Sequence, residues 1–464
     1  MTKIFNSSIN RLLKGAGFFY TGINAGIIIC IVMVASLCKP TIASAASLDT
    51  AEPIKIVIDP GHGGENLGAD HNGYLEKDMT MIVAESMRDE LEKYEGIEVY
   101  MTRTSDVDMS LEERIDYAEE IGADFFFCLH FNMSAEHDMY GAECWVSAFG
   151  ECYARGMDFA KIEMRQLTDL GLYDRGIKTR LGSKGQNYYG VLRMGDLAGI
   201  PAVIIEHCHL DNYNDEPFYD AYDWPVRYGK LDATAVAMYY RLKSDELGVD
   251  YSDVEYDPTP VPVHVVRPDD SPPDKMSVVY GEPYQTEGGN WVDVELTASD
   301  PDSRMLYYSY SIDGGATWSE RYRWQDDQGQ LIGDSILTDT IHTAVPVSTD
   351  RDMYIIFKVY NLYNLDTVSD VYYLPKVVPD GDIYSEGSSA PHTSVGSGDT
   401  GDMEYTEIDR GEADSEPVVY DSVGNMSGLM LFGLIAILSL AIVLVLGIFI
   451  YVIKDNRRRD NRRS

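Results

Sequence analysis

Along residues 53–243 the spacing of apolar positions switches repeatedly between two periods. "IKIVID" is a short apolar run with the look of a strand. Met79, Val83, Met87 and Leu91 then recur every four residues among charged neighbours, which predicts a helix over 77–94. "IEVYMT" (97–102) reads as a second strand. Ser110 followed by Glu113 is a capping box, opening a helix that ends near Gly122. "DFFFCLH" (124–130) and "PAVIIEH" (201–207) are continuous apolar runs, as expected of strands buried on both faces. Residues 153–170 and 225–243 complete the pattern as helices. Strands alternating with helices predict an α/β fold, with a mostly parallel sheet flanked by helices.

The pattern changes after residue 243. Residues 244–275 are rich in Pro and Asp and read as a linker. "WVDVELTAS", "LYYSYSI" and "MYIIFKVY" then alternate or run aromatic and β-branched between turn residues. They predict an all-β, immunoglobulin-like sandwich over 276–376. Within it "SIDGGATW" (311–318) fits a hairpin with Gly314 and Gly315 at its tip and Trp318 folding back. That stretch resembles the Asp-box hairpin of some carbohydrate-active proteins, but a purely structural turn is the reading favoured for it.

Charge and hydropathy divide the ends from the body. The net charge is −39, yet residues 1–47 and 454–464 each carry +4, leaving 48–453 near −47 by difference. Such a surface repels nucleic acid and excludes it as a partner. Residues 377–426 hold 12 acids and one Arg and read as a disordered acidic stalk. Residues 427–453 contain no charge and are long enough to span a bilayer, which predicts a transmembrane helix. The basic tail 454–464 places that end in the cytoplasm and the body outside. At the other end, 15–38 is uncharged and leads to Ala43-Ser44-Ala45, so 1–46 reads as a secretory signal or an uncleaved anchor. The expectation is a single-pass protein of a bacterial cell membrane.

Three of the predicted strands end on chemistry. "IVIDPGH" delivers His62, "DFFFCLH" delivers His130, and "PAVIIEH" delivers Glu206 and His207. Ligands bind beyond the carboxyl ends of strands in open α/β sheets, so these side chains converge if the strands are parallel neighbours. Glu76 opens the helix at 77–94, close in sequence to His62. Two histidines and a glutamate suffice for a catalytic Zn2+ with one open position. Zinc lowers the pKa of bound water and polarises a carbonyl. Glu206, off the metal, fits a general base that hands its proton to a leaving amine.

Several linked motifs carry a resemblance. "KIVIDPGHGGENLGA", "NGYLEKDMTMIVAE", "TRTSDVDMSLEERIDYAEEIGADFFFCLHFN", "GAECWVS", "RGIKTR", "YYGVLR" and "PAVIIEHCHLDNYNDE" follow one another in order. The segment 53–243 resembles the zinc-dependent N-acetylmuramoyl-L-alanine amidases of the amidase-3 family. The resemblance implies His62, Glu76 and His130 as zinc ligands and Glu206 as the catalytic glutamate. It implies peptidoglycan as substrate, cut between N-acetylmuramic acid and the L-alanine of the stem peptide. A different reading is an idle peptidoglycan-binding scaffold whose β domain does the main work; the partner of that domain is not given by the sequence.

Departures from the family pattern define further expectations. The usual "HAN" is "HFN", so Phe131 replaces a small residue and is expected to narrow the groove. "HCHLDN" brings His207, Cys208 and His209 after Glu206, the histidines as surface or supporting residues. Cys128 and Cys208 read as core, a disulfide, or neighbours of the metal, and Cys144 and Cys152 are close enough in sequence to pair. His71 and His137 are expected on loops without a role. Asp59 and Asn132 read as supports of the ligand histidines. Arg193 reads as a binder of a stem-peptide carboxylate, an orienter of Glu206, or an ordinary salt bridge. No long extra helix is expected between 130 and 206.

Overall fold

The computed structural model describes residues 52–325 and 339–376. The expected signal, acidic stalk, membrane helix and basic tail lie outside them. Among the described residues no helix is long and apolar enough to cross a membrane.

Ile54–Pro60 (β1), the short pair Asp70–His71 (β2) and Tyr74–Leu75 (β3), Ile97–Met101 (β4), Phe125–Asn132 (β5), Ala142–Val146 (β6), Asp174–Lys178 (β7) and Ala202–His209 (β8) are the strands of the first region. Its helices are Glu76–Leu91 (α1), Leu111–Ile121 (α2), Gly150–Asp169 (α3), Gly190–Ala198 (α4), Glu216–Tyr219 (α5) and Trp224–Tyr240 (α6). The six longer strands form one sheet in the order β4-β1-β5-β8-β6-β7. The first four are parallel; β6 runs antiparallel to β8, and β7 is parallel to β6. The carboxyl ends of β1, β5 and β8 therefore share an edge with the amino ends of β6 and β7.

The hydrophobic pattern explains the layering. Alternate residues of β5 face opposite sides. Phe125 and Phe127 pack with Phe159 of α3 and residues of α1 and α6, while Phe126 and Cys128 pack with Val191 and Leu192 of α4 and Ile115 of α2. Both faces are buried, which is why the run is continuously apolar. The Ser110 capping box forms: Glu113 N donates to Ser110 Oγ and Ser110 N donates to a Glu113 carboxylate oxygen. Gly122 closes α2 in the left-handed conformation. The last helix stops at Tyr240, short of the predicted 243, because Arg241 turns left-handed (φ 56°) and Lys243–Ser244 (β9) pairs with Val249–Asp250 (β10).

The segment 244–275 lies against the first region rather than hanging free. Tyr251 and Tyr256 pack on its core, Val266 N donates to Ala148 O, and Thr179 Oγ1 donates to Val266 O.

Two antiparallel sheets follow. Lys275–Tyr280 (β11), Tyr284–Thr286 (β12) and Gly289–Ser299 (β13) join Asp339–Pro346, numbered β16. Met305–Ser311 (β14) and Tyr322–Arg323 (β15) join Met353–Asn361 (β17), Asp366–Val368 (β18) and Tyr372–Leu374 (β19). Val294, Leu296, Ile341, Ile355 and Phe357 share one core between them. The hairpin at 311–318 forms as expected. Asp313 accepts from Thr317 N and Oγ1, and these bonds hold its carboxyl at about 2. Trp318 lies under the Lys358 ammonium, 4.6 Å from ring centre to nitrogen.

Candidate functional site

The loop after β1 is built around a strained turn. His62 has φ 61°, a value that β-carbon-bearing residues seldom adopt, and Gly63 and Gly64 also have positive φ. Two buried arginines hold that turn from behind. Arg103 donates to Pro60 O and Gly61 O, and Arg114 donates to Pro60 O and His62 O. Asp59 braces Arg114 at 2.6 Å and also accepts from Thr102 Oγ1 (2.5 Å) and Cys128 Sγ (3.0 Å). Its contact with His62 is thus indirect, through the arginine.

Three side chains meet at this edge. Glu76 is the first residue of α1, one position before the predicted start, and is fixed by its own backbone bond to Ala69 O. Its Oε2 lies 3.1 Å from His62 Nε2 and its Oε1 lies 2.9 Å from His130 Nδ1. Backbone N–H groups of Ala69 and Phe131 donate to the same two oxygens. The other nitrogen of His62, Nδ1, is 3.0 Å from Asn66 Oδ1, which leaves Nε2 directed at the glutamate. Burial works to raise the Glu76 carboxyl, but the adjacent His62 and His130 outweigh it and hold it well below the carboxylate range. One ligand atom from each of His62, Glu76 and His130 lies within 4.8 Å of the others. Close approach is a condition of the site. A Cβ on Gly61 would sit 2.5 Å from His130 Cε1, and one on Gly68 would sit 2.4 Å from Glu76 Oε2.

Glu206 lies beside His130 in the parallel register of β5 and β8. It lies opposite Glu143 in the antiparallel register of β6 and β8. Glu143 is fully buried and accepts from Arg175 Nε (3.0 Å), Lys178 Nζ (2.6 Å), Asn132 Nδ2 (3.1 Å) and Trp145 Nε1 (3.2 Å). Burial pushes its carboxyl up, and Arg175 and Lys178 more than reverse that. The Asn132 side chain therefore donates to Glu143, where support of a ligand histidine was expected. Arg193 donates to the backbone carbonyls of Asn187 and Tyr188.

Other expectations are corrected. Phe131 turns into the core, stacked on His207 at 5.1 Å beside Trp224 and Tyr228, and does not narrow the groove. The two departures from the family pattern thus pack on each other. His207 and His209 are buried, so of the two expected readings the surface one falls and the supporting one stands for His207. His207 bridges His130 O and Asp232, and His209 faces Gly141 O. Cys128, Cys144, Cys152 and Cys208 are buried free thiols, so the local Cys144–Cys152 bridge does not form. His71 forms half of the short strand β2, and His137 pairs with buried Asp211.

Residues 56–238 match the Amidase_3 family, described as N-acetylmuramoyl-L-alanine amidase. The chain is 35% identical over 164 residues to the N-acetylmuramoyl-L-alanine amidase CwlM of Bacillus licheniformis, covering 35% of this chain and 59% of that protein. It is also 35% identical over 164 residues to the sporulation-specific N-acetylmuramoyl-L-alanine amidase of Bacillus subtilis (strain 168), covering 58% of it. The chain therefore spans about three-fifths of the length of these curated relatives. The solved catalytic domain of CwlV from Bacillus (Paenibacillus) polymyxa var. colistinus is 27% identical, with 41% of this chain and 99% of that chain covered and a TM-score of 0.36.

The residues that sequence reasoning missed are Glu143, Arg175, Lys178, Arg103 and Arg114. The first three sit in "GAECWVS" and "RGIKTR". Their signal was charge inside otherwise strand-like segments, which is costly unless the charges pair.

Proposed function

We propose that this protein is a zinc-dependent N-acetylmuramoyl-L-alanine amidase acting on peptidoglycan from the outer side of a bacterial cell membrane. The observation that carries the reading is the meeting of His62, Glu76 and His130 beside Glu206, inside the segment that matches the amidase family. The donor set fits zinc: two imidazoles and a carboxylate, with Asn66 orienting one ring and backbone N–H groups orienting the glutamate. Zinc held there supplies a Lewis acid for the scissile carbonyl and acidifies bound water.

The chain's own residues do the rest. Glu206 takes the proton of the attacking water and delivers it to the nitrogen of L-alanine as the amide breaks. The Arg103 and Arg114 clamps keep the His62 turn in its strained conformation, so the ligand set is formed before substrate arrives. Asp59 and Asn132 act one step further away, through Arg114 and Glu143.

The catalytic region is 53–243, joined by 244–275 to an immunoglobulin-like sandwich at 276–376. The segments at 1–46, 377–426, 427–453 and 454–464 are read as a secretory signal or uncleaved anchor, an acidic stalk, a membrane helix and a cytoplasmic tail. Their apolar and charge patterns support that topology. Purified muropeptides incubated with the zinc-loaded chain should release free stem peptides and peptide-free glycan. Zinc occupancy without release would instead favour the scaffold reading.

A further inference from the structure

The β-rich region is bound to the catalytic sheet through buried polar contacts, and those contacts lead toward Glu206. His130, Glu206 and Glu143 stand in one row across β5, β8 and β6, so the last two side chains share a face of the sheet. Glu143 is saturated by four donors, of which Arg175 is the one that reaches outward. Arg175 is fully buried; its Nε is on Glu143, and its Nη1 is 3.3 Å from the hydroxyl of Tyr307 on β14. The Tyr307 hydroxyl in turn donates to Tyr140 O, on the loop that follows the His130 strand. Neighbouring contacts close the seam. Tyr173 donates to Leu306 O, Arg304 donates to Asp174 O, and Arg321 donates to Asp138. Tyr140, Tyr173, Leu306, Tyr307 and Tyr360 form a buried cluster of their own. Even Gly176 of the edge strand is fitted to it, since a Cβ there would lie 2.7 Å from Leu362.

We propose that Tyr307, on the β region, is a positioning residue for Glu206, acting through Arg175 and Glu143. Glu143 is the residue opposite Glu206 in the β6–β8 register, on the same face of the sheet, and like charges on neighbouring residues of one face repel unless cations are held against one of them. Lys178 and Arg175 supply those cations. The guanidinium has a long flexible stem, and Tyr307 fixes where it points. The proposal rests on the role given to Glu206 above.

The test uses the full chain with Tyr307→Phe, which keeps the buried ring and removes only the hydroxyl. Arg304→Gln loosens the same seam without touching Arg175 or Glu143. Tyr307→Phe should lower kcat on muropeptides about tenfold with KM little changed, as for loss of one buried hydrogen bond to a charged group. Arg304→Gln should keep the wild-type kcat. Combining Tyr307→Phe with Glu143→Gln should add little to Glu143→Gln alone. A folded Tyr307→Phe with wild-type kcat would overturn the proposal, as would an equal loss in Arg304→Gln. Hydrogen exchange gives a readout independent of turnover. Amides of 142–146 and 202–209 should lose protection in Tyr307→Phe and keep it in Arg304→Gln; equal protection in both overturns the coupling. If the wild-type chain cleaves nothing, the amidase reading fails while the exchange comparison still decides the coupling.

Discussion

His62, Glu76 and His130 at the sheet edge, and Asp269 of the linking segment with Asp300 and Asp302 of the β region, each bring ligand atoms within 4.8 Å of one another. What surrounds them differs. In the first group Glu76 meets imidazole nitrogens in front and backbone N–H groups behind. In the second, Asn361 Nδ2 donates to Asp269 at 2.8 Å and to Asp300 at 2.9 Å. Ser303 Oγ and Ser271 N also donate to Asp269, and the backbone N–H of Asp302 donates to Asp300. An amide group bridges Asp269 and Asp300, and turn donors bond further oxygens of the group. Proximity of carboxylates is thus no sign of a metal centre by itself. Mixed nitrogen and oxygen donors, held from behind, make the sheet edge the better candidate.

The largest expected contrast is in activity. His62→Ala should lose bound zinc and reduce turnover by about a thousandfold or more, since metal-assisted hydrolysis loses its Lewis acid. Asp300→Asn should leave both near wild type. Zinc analysis beside a muropeptide assay separates the two.

Glu206→Gln sharpens the same contrast within the site. Zinc content should stay at one per chain while kcat falls by about 100-fold to 10000-fold, the range for a lost general acid–base. Loss of zinc in that variant would make Glu206 a ligand instead.

Removing the metal and removing the amide should act on different regions. A chelator should abolish cleavage reversibly and leave unfolding of the β region unchanged. Asn361→Ala should leave zinc binding intact and cost the β region about 1–3 kcal/mol, because it strips donors from buried carboxylates. Denaturant unfolding followed by hydrogen exchange in each region checks both.

The smallest effect is one of sign with pH, in the metal-free protein. Glu76 is held below its usual 4.5, because the two histidines outweigh burial, so its contribution to stability is present above that value and fades as pH falls through the lowered one. Asp269 is raised above 3.8 by burial and by Asp300, so its contribution is full below 3.8 and fades as pH rises through the raised value. Carboxyl NMR titration should find Glu76 ionised at a pH where Asp269 still holds its proton.

Much of the α/β region was legible because each element had a local cause. The four-residue spacing of Met79, Val83, Met87 and Leu91 gave α1, the Ser110–Glu113 pair gave α2, and the unbroken Phe run gave β5. The site candidates were legible for the same reason: His62 follows β1, and His130 and Glu206 lie in the carboxyl-terminal halves of β5 and β8, two and three residues before those strands end, so their chemistry is local. Whatever depends on pairing between distant segments was not legible. The reversal of β6 and β7 brings Glu143 and Arg175 to the edge where Glu206 lies, yet nothing in "GAECWVS" records a strand's direction. Phe131 and His207 looked like two separate oddities until the register of β5 and β8 stacked them. Arg193, left between a functional and an ordinary role by the sequence, binds the carbonyls of Asn187 and Tyr188 in its own turn. Asp59, an open question in the sequence, acts through Arg114, a residue 55 positions away.

The most direct measurement is a muropeptide digest by the zinc-loaded full chain, run beside Glu206→Gln with zinc content determined on the same samples. Release of stem peptides by the wild-type chain, with none from a variant that keeps its zinc, is the predicted result. Equal release by both proteins, or no release from a wild-type chain carrying its zinc, would contradict it.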